Sequence, residues 1–337
     1  MSLPDPSPVL DLIEAFRRSK TMFVAVSMGI FDRLHDGPAS AADLAAALGA
    51  NQDALGRLLD ACAALGLLRK VDGVYRNEPI AEAYLRTASP DSLCGYIRYS
   101  DRALYPMWSN LEAALMEGTH RWKQTFGWDG PIFSHFFRTE DAMRDFLRGM
   151  HGFGTLTSPK VVEAFDLSRF RRSVDLGGAT GHLTIALCER YPGMRGVVFD
   201  LPQVAAIARE QVALSSACPR IEVVEGDFFA DELPDAYLYA VGQVLHDWTD
   251  EKIGRLLRRA FDRLPPGGGL LVVEKLLHED GVGPLAANMQ SLNMLIATEG
   301  KERSASDYSR LLHDAGFGQV EARRTGARLD AVLAVKA

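Results

Sequence analysis

From about Pro8 to Arg98 the apolar positions recur at intervals of three and four, as in LIEAFRRSKTMFVAVSMGIFDRL, which is the period of amphipathic helices. Within this half Ser40 predicts the cap of a helix over Asp43 to Leu48, and Gly49 its end. A second helix follows from about Gln52 to Leu65, and Val71 to Tyr75, around Asp72-Gly73, reads as a short hairpin. Helix, turn, helix and hairpin in that order make a winged helix. Residues from Asp101 to Phe165 read as connecting helices with an aromatic-rich loop, QTFGWDGPIFSHFF, between them. From Phe170 the period changes. RRSVDL, RGVVFDL, IEVVEGDFF, AYLYAVG and GLLVVEKLL are apolar runs of strand length separated by helical patterns, which is the pattern of an α/β, doubly wound, mostly parallel sheet. QVEARRT, GARL and DAVLAVKA close the chain as a hairpin, so the last strand is expected to run antiparallel. Two domains follow from this reading, residues 1–100 and 101–337.

Composition narrows the classes. At 337 residues, 47% hydrophobic and 24% charged, the chain suits one large folded domain plus a smaller one. A formal net charge of -7 argues against nucleic-acid or anionic-membrane binding, since both rely on basic surface. The winged helix raises DNA binding as the sharper reading. Residues 1–100 hold ten Lys/Arg against twelve Asp/Glu, however, and the second helix offers only Arg57, beside Asp53 and Asp60. Its wide apolar faces are expected to bury against another subunit or the second domain instead. Cys62, Cys94, Cys188 and Cys218 show no CxxC spacing and read as reduced, structural thiols. No cluster has metal-ligand spacing, so metal independence is expected. No apolar run approaches the roughly 20 residues that span a bilayer, and MSLPDPSPVL lacks the basic and apolar segments of a signal peptide. A cytoplasmic location is the resulting expectation.

Candidate chemistry gathers at strand ends. VDLGGATGHL places Asp175, Gly177, Gly178 and Gly181 between a strand and a helix. Glycines there admit a ligand close to the backbone, and the helix start offers N–H donors, but NAD enzymes use the same device. Asp200 ends the next strand in VVFDLP, where an acid can accept ribose hydroxyls. Asp227 with Phe228 ends the third in EGDFF, where a carboxylate and a ring can hold an adenine. Three acids at three successive strand ends say much more than one.

DLGGATG, FDLP, GDFF, VLHDWTDEK, PPGGGLLVVE, SLNMLIATEGKERSASDY and LLHDAGF occur in order and at family spacing. The chain resembles in these the S-adenosylmethionine-dependent O-methyltransferases of small phenols, in particular the acetylserotonin-type and bacterial natural-product branches. The resemblance covers essentially the whole chain. It implies a Rossmann-like class I methyltransferase sheet with the last strand antiparallel, and an N-terminal winged-helix domain that makes a homodimer. It also implies S-adenosylmethionine as donor, S-adenosylhomocysteine as product, no metal, and a small aromatic acceptor. By the same resemblance Asp175, Gly177 and Gly178 face the methionine part of the cofactor, Asp200 and Leu201 the ribose, and Asp227 and Phe228 the adenine. Gln243 stands where members often carry Lys or Arg, so a cationic contact is missing. Phe126, Trp128, Met150, Asn293 and Met294 are the candidate acceptor contacts, although aromatic and Met positions of this kind also serve as core. Ala297 replaces a Gln typical of acetylserotonin enzymes and counts against that substrate.

The resemblance makes His246 the base and Glu274 and Glu302 its orienting carboxylates. A phenol with pKa near 10 is mostly protonated at neutral pH, so an imidazole beside it is useful to an in-line methyl transfer. Glu302 has a plainer alternative as an acid near a helix start. Asp247 is expected to point away from the substrate, with Asp247 or Thr249 capping the helix that opens at Asp250 and Trp248 packing. Competing readings are methyl transfer to carbon or nitrogen, a cofactor-sensing DNA-binding regulator, and an NAD-linked dehydrogenase. GDFF and the closing hairpin count against the last.

Overall fold

A computed structural model describes residues 3–137 and 139–337, without the side chains of Ile132 and His135. Met1 and Ser2, with which the expected first domain opens, lie outside the described residues. The chain divides into two units, Met1–Ala103 and Leu104–Ala337.

In the first unit the helix Ala41–Leu48 starts at Ser40, whose hydroxyl accepts the Asp43 N–H while the Asp43 carboxylate accepts the Ser40 N–H. This reciprocal cap satisfies two donors that a helix start leaves open. Gly49 ends the helix at φ 63°, and Asn51 caps the next one, Gln52–Ala64. Three strands form the wing: β1 (Ala39–Ser40), β2 (Leu68–Val71) and β3 (Val74–Asn77), in the order β1-β3-β2. Asp72 and Gly73 turn β2 into β3 with φ of 51° and 77°, the left-handed pair a tight hairpin needs. β1 has two residues, too few for alternation to show in the sequence. Leu44, Leu55, Leu59, Cys62 and Tyr75 bury together with Phe31. The first helix, Ser7–Ser27, buries only Ala25 and Val26 and leaves Val9, Leu10, Leu12, Ile13 and Phe16 exposed.

The second unit is a seven-stranded sheet flanked by helices. Its strands are β4 (Arg172–Leu176), β5 (Arg195–Asp200), β6 (Ile221–Glu225), β7 (Leu238–Gly242), β8 (Gly269–Glu274), β9 (Gln319–Arg323) and β10 (Asp330–Val335). They lie in the order β6-β5-β4-β7-β8-β10-β9. β4 to β8 pair in parallel, whereas β10 runs antiparallel to both β8 and β9. The closing hairpin therefore inserts its last strand beside β8 and leaves β9 at the edge. The central strands read as unbroken apolar runs because both faces are covered. Leu270 and Val272 join Ile253, Leu256, Leu257 and Ala260, one face of the helix Asp250–Arg263. Leu271 and Val273 point the other way, to Leu183 and Leu187 of the helix His182–Arg190.

The chain runs from β4 outward to β5 and β6 and then returns to lay β7 on the other side of β4. That reversal opens a crevice at the carboxyl ends of β4 and β7, where folds of this kind hold ligands. No helix among the described residues is long and apolar enough to cross a membrane.

Candidate active site

A cavity of about 540 Å³ opens at this reversal, lined on one side by Asp175, Gly177, Gly178, Asp200, Leu201, Asp227 and Phe228. Gly177 has φ 72°, and a Cβ there would stand 3.0 Å from Val244 Cγ2 and 3.2 Å from Phe228 Cε1, filling the cradle. Asp175 is buried and accepts a hydrogen bond from the Thr184 hydroxyl at 3.2 Å. Burial first, and then the neighbouring Asp200 charge, push its carboxyl up to about 7 against the Thr184 bond. Asp200 accepts the backbone N–H groups of Ala179 and Leu201, each at 2.7 Å, and burial still raises it to about 6. Asp227 Oδ1 accepts the Phe229 N–H at 2.7 Å in a turn, and the residue also lines the cavity. Carboxylates that gain from a positive charge, acceptors for hydroxyls and a Phe228 ring suit a ligand that is at once cationic, ribosyl and aromatic. These residues fit S-adenosylmethionine.

The rest of the wall is partly unforeseen. Met150 lines it, with Phe133, Phe137, Phe146 and Trp248. Gln243 lines it with φ 53°, a left-handed conformation unusual for a residue with a side chain. His182, which the sequence reading passed over, also lines it, with Nδ1 3.0 Å from Ser158 Oγ. Burial, and next the His151 ring, drive His182 down to about 3, so it is a neutral wall residue. It fits because Gly154 lies beneath it, where a Cβ would come 2.3 Å from His182 Cγ. Phe126 and Trp128 do not line this cavity. Phe126 packs on Trp122 at 5.7 Å between centroids, and the Trp128 indole N–H reaches the Pro131 carbonyl. Asn293 and Met294 are buried in the helix Leu285–Ala297, outside this lining, with Asn293 Oδ1 accepting the Trp108 indole N–H at 3.0 Å.

His246 sits in a short turn after β7, 4% exposed, one residue behind the wall. Its Nδ1 is 2.8 Å from Glu302 Oε1 and 3.1 Å from Glu274 Oε2. One ring proton can serve only one of them. It goes to Glu302, and Glu274 Oε2 remains a charge contact without a hydrogen bond. Glu274, the last residue of β8, turns its other oxygen to the N–H groups of Val244, Leu245 and His246, at 3.1, 2.9 and 3.4 Å. Burial disfavours charge on the imidazole, yet Glu274, Glu302 and Asp247 together outweigh it and carry the imidazolium up to about 10. Burial and the like charges of Glu302 and Asp247 raise Glu274 in turn, against the imidazolium.

Glu302 is no helix-start acid. The helix that follows begins at Ala305, capped by Ser304 with Asp307, while Glu302 is 1% exposed and turned to the ring. The preceding Gly300 makes this approach possible: a Cβ there would lie 2.2 Å from the His246 carbonyl oxygen and 2.7 Å from the Trp248 nitrogen. That glycine was the overlooked sequence signal. Thr249 caps the helix Asp250–Arg263, which leaves Asp247 uncommitted. Contrary to expectation the Asp247 carboxylate lines the cavity, 3.8 Å from His246 Nε2, and burial raises it to about 6.

His246, Glu274 and Glu302 also bring three potential ligand atoms within 4.8 Å of one another, a grouping that sequence spacing could not show. Nδ1 faces the carboxylates as a donor, and Glu274 Oε1 is occupied by backbone N–H groups.

Residues 108–318 match the O-methyltransferase domain model, and residues 10–87 the O-methyltransferase dimerisation domain model. The chain belongs to the O-methyltransferase family. Among its relatives is acetylserotonin O-methyltransferase of Bos taurus, 41% identical over 328 residues and covering 95% of each chain. The probable bifunctional dTTP/UTP pyrophosphatase/methyltransferase protein of Homo sapiens is 41% identical over 336 residues. The O-methyltransferase described here aligns over 99% of its own length and spans 54% of that relative. The crystal structure of human N-acetylserotonin methyltransferase in complex with SAM superposes with a TM-score of 0.94 at 38% identity, covering 100% of this chain and 99% of that one. The protein is thus a SAM-dependent O-methyltransferase with a Rossmann-like catalytic sheet.

Proposed function

We propose that this O-methyltransferase methylates the hydroxyl of a small phenolic acceptor, with His246 as general base and Glu302 and Glu274 as the groups that hold it. The observation that carries this reading is the 2.8 Å contact between His246 Nδ1 and Glu302. It fixes the proton on Nδ1 and leaves Nε2 as the atom that can take one from a substrate. S-adenosylmethionine, when bound, supplies a sulfonium methyl carbon open to in-line attack. The acceptor O–H proton moves to Nε2 as the oxygen–carbon bond forms and the carbon–sulfur bond breaks. The new imidazolium then lies between Glu302 on one side and Asp247 on the other. Asp175 and Asp200 serve the ammonium and ribose ends of the donor, and Asp227 with Phe228 the adenine.

Phe133, Phe137 and Phe146 give the cavity an apolar, aromatic wall that suits an aromatic ring. The test is incubation with labelled methyl donor and a panel of catechols, hydroxyindoles, naphthols and anthracyclines, read by mass spectrometry. A methyl ether on at least one phenol is expected. Methyl groups found on carbon or nitrogen alone would contradict the reading.

The protein is proposed to work as a homodimer through residues 10–87. The exposed Val9, Leu10, Leu12, Ile13 and Phe16 of its first helix support this, because an apolar stripe of that size seeks a partner. Sedimentation at twice the chain mass is expected, and a monomer at micromolar concentration would oppose it.

A further inference from the structure

Two histidines tie the helix Glu140–Val162 to the glycine turn after β4, each through a hydroxyl. His151, on the helix, has Nδ1 2.9 Å from the Thr180 hydroxyl of the turn. Ser158, further along the same helix, has its hydroxyl 3.0 Å from Nδ1 of His182, the first residue after the turn. Only His182 of the two lines the cavity. Its ring rests on Gly154, where a Cβ would come 2.3 Å from Cγ and 2.4 Å from both Cδ2 and Nδ1. The inner side of the imidazole is thus pressed on the helix, and the outer edge, Cε1 and Nε2, is what it offers the cavity. Among the described residues the Ser158 contact is its one hydrogen bond, so Nε2 has no protein partner.

The Ser158 contact also decides where the ring carries its proton. Ser158 is buried, and His182 Nδ1 is the partner of its hydroxyl. Buried donors are rarely left without an acceptor, whereas a spare lone pair is tolerated more often, so the hydroxyl donates and Nδ1 accepts. Burial and the His151 ring keep the imidazole neutral, at about 3. Its single proton is then on Nε2, which makes His182 a donor at the wall.

A donor there needs an acceptor on the ligand. Asp175 is proposed to serve the ammonium of the methyl donor, and the carboxylate on the same carbon has no protein group assigned to it. His182 and Asp175 stand at one end of the cavity: Thr184, two residues beyond His182, donates to Asp175 Oδ2 at 3.2 Å. Leu183 Cδ2 lies 3.4 Å from where a Gly242 Cβ would stand, at the end of β7. Lys252 and Arg255, which also line the cavity, belong to the helix Asp250–Arg263. Lys252 is paired with Glu299 at 2.6 Å, and Arg255 lies over the Phe229 ring. The start of the helix that His182 opens favours an anion as well.

We propose that His182 binds the carboxylate of the methionine end of S-adenosylmethionine through Nε2–H, with Ser158 fixing the tautomer that makes this possible. The inference rests on the methionine end lying at Asp175 and Gly177 and is independent of the role of His246.

The experiment titrates S-adenosylhomocysteine, and its decarboxylated analogue that keeps the amine, into wild type, His182→Leu, His182→Gln and Asp175→Asn by calorimetry. In His182→Leu, S-adenosylhomocysteine should bind roughly 10- to 100-fold more weakly, the worth of a hydrogen bond to a charged group, with the analogue within about twofold of wild type. His182→Gln, whose amide can set an N–H near the place of Nε2, should recover most of that loss. An equal loss for both ligands in His182→Leu would overturn the proposal by revealing a packing role, and so would no loss for either. Should His182→Leu not fold, Ser158→Ala reads the same contrast: weaker binding of S-adenosylhomocysteine alone supports the proposal, and an equal effect on both ligands opposes it. Asp175→Asn separates this inference from the reading beneath it. If that variant weakens both amine-bearing ligands while His182→Leu distinguishes neither, the role of His182 alone is rejected. If it leaves both unchanged, the methionine end lies elsewhere and the donor site falls with it.

Discussion

Replacing His246 by alanine is expected to slow methyl transfer by roughly 10²- to 10⁴-fold, the usual worth of a positioned base. Affinity for S-adenosylmethionine should be essentially unchanged, because Asp175, Asp200, Asp227 and Phe228, the residues proposed to hold the donor, stay in place. The pH dependence has a definite sign. The carboxylates hold the imidazole protonated well above its ordinary value near 6.5. A protonated imidazole cannot accept the phenolic proton, so the wild-type rate should climb with pH, with its midpoint on the alkaline side of an ordinary histidine. The variant should lose that climb. Single-turnover rates across pH, with calorimetric cofactor titration alongside, check both parts. A variant as fast as wild type would remove His246 from the chemistry.

Glu274→Ala is expected to damage both stability and rate. Glu274 Oε1 is the acceptor for three consecutive backbone N–H groups of the turn that carries His246. Each buried donor left unpaired costs about 1–3 kcal/mol, and breaking a buried charge pair typically costs about 3–5 kcal/mol. Taking about 4 kcal/mol in all, since the turn can relax and recover part of the loss, a unit of this size should melt roughly 8–16 °C lower. Glu274→Gln keeps an oxygen for the three donors and should retain most of the stability while losing the charge beside Nδ1. Thermal unfolding followed by circular dichroism reads the difference. An alanine variant that melts within about 2 °C of wild type would show that the turn holds its shape without this carboxylate.

Much of this was legible in the chain. The inner parallel strands announce themselves because a sheet covered on both faces demands uninterrupted apolar runs, and RGVVFDL and GLLVVEKLL have no other comfortable place. Ser40, Gly49 and the Asp72-Gly73 pair were readable because each satisfies a local backbone requirement. The acids at the ends of β4 and β5 and just beyond β6 follow from strand boundaries alone. What stayed hidden depends on approach between distant segments. Asp247 was expected to turn away, and only the fold shows that Thr249 takes the capping task and releases it. Gly300 and Gly154 carry no local turn signal, since each is small because of a neighbour far away in sequence. Phe126 and Trp128 were drawn from a stretch whose aromatic residues all suit a pocket; the ones that line it are Phe133 and Phe137 further along. The insertion of β10 between β8 and β9 is likewise a choice among pairings that alternation alone leaves open.

The proposed chemistry turns on one atom, Nε2 of His246. A crystal structure of the protein with S-adenosylhomocysteine and a methylatable phenol measures it most directly. The acceptor oxygen is expected at about 2.6–3.2 Å from Nε2, with Nδ1 still on Glu302. An acceptor oxygen held by Asp247 or another group, with the imidazole farther off than one bridging water, would contradict it.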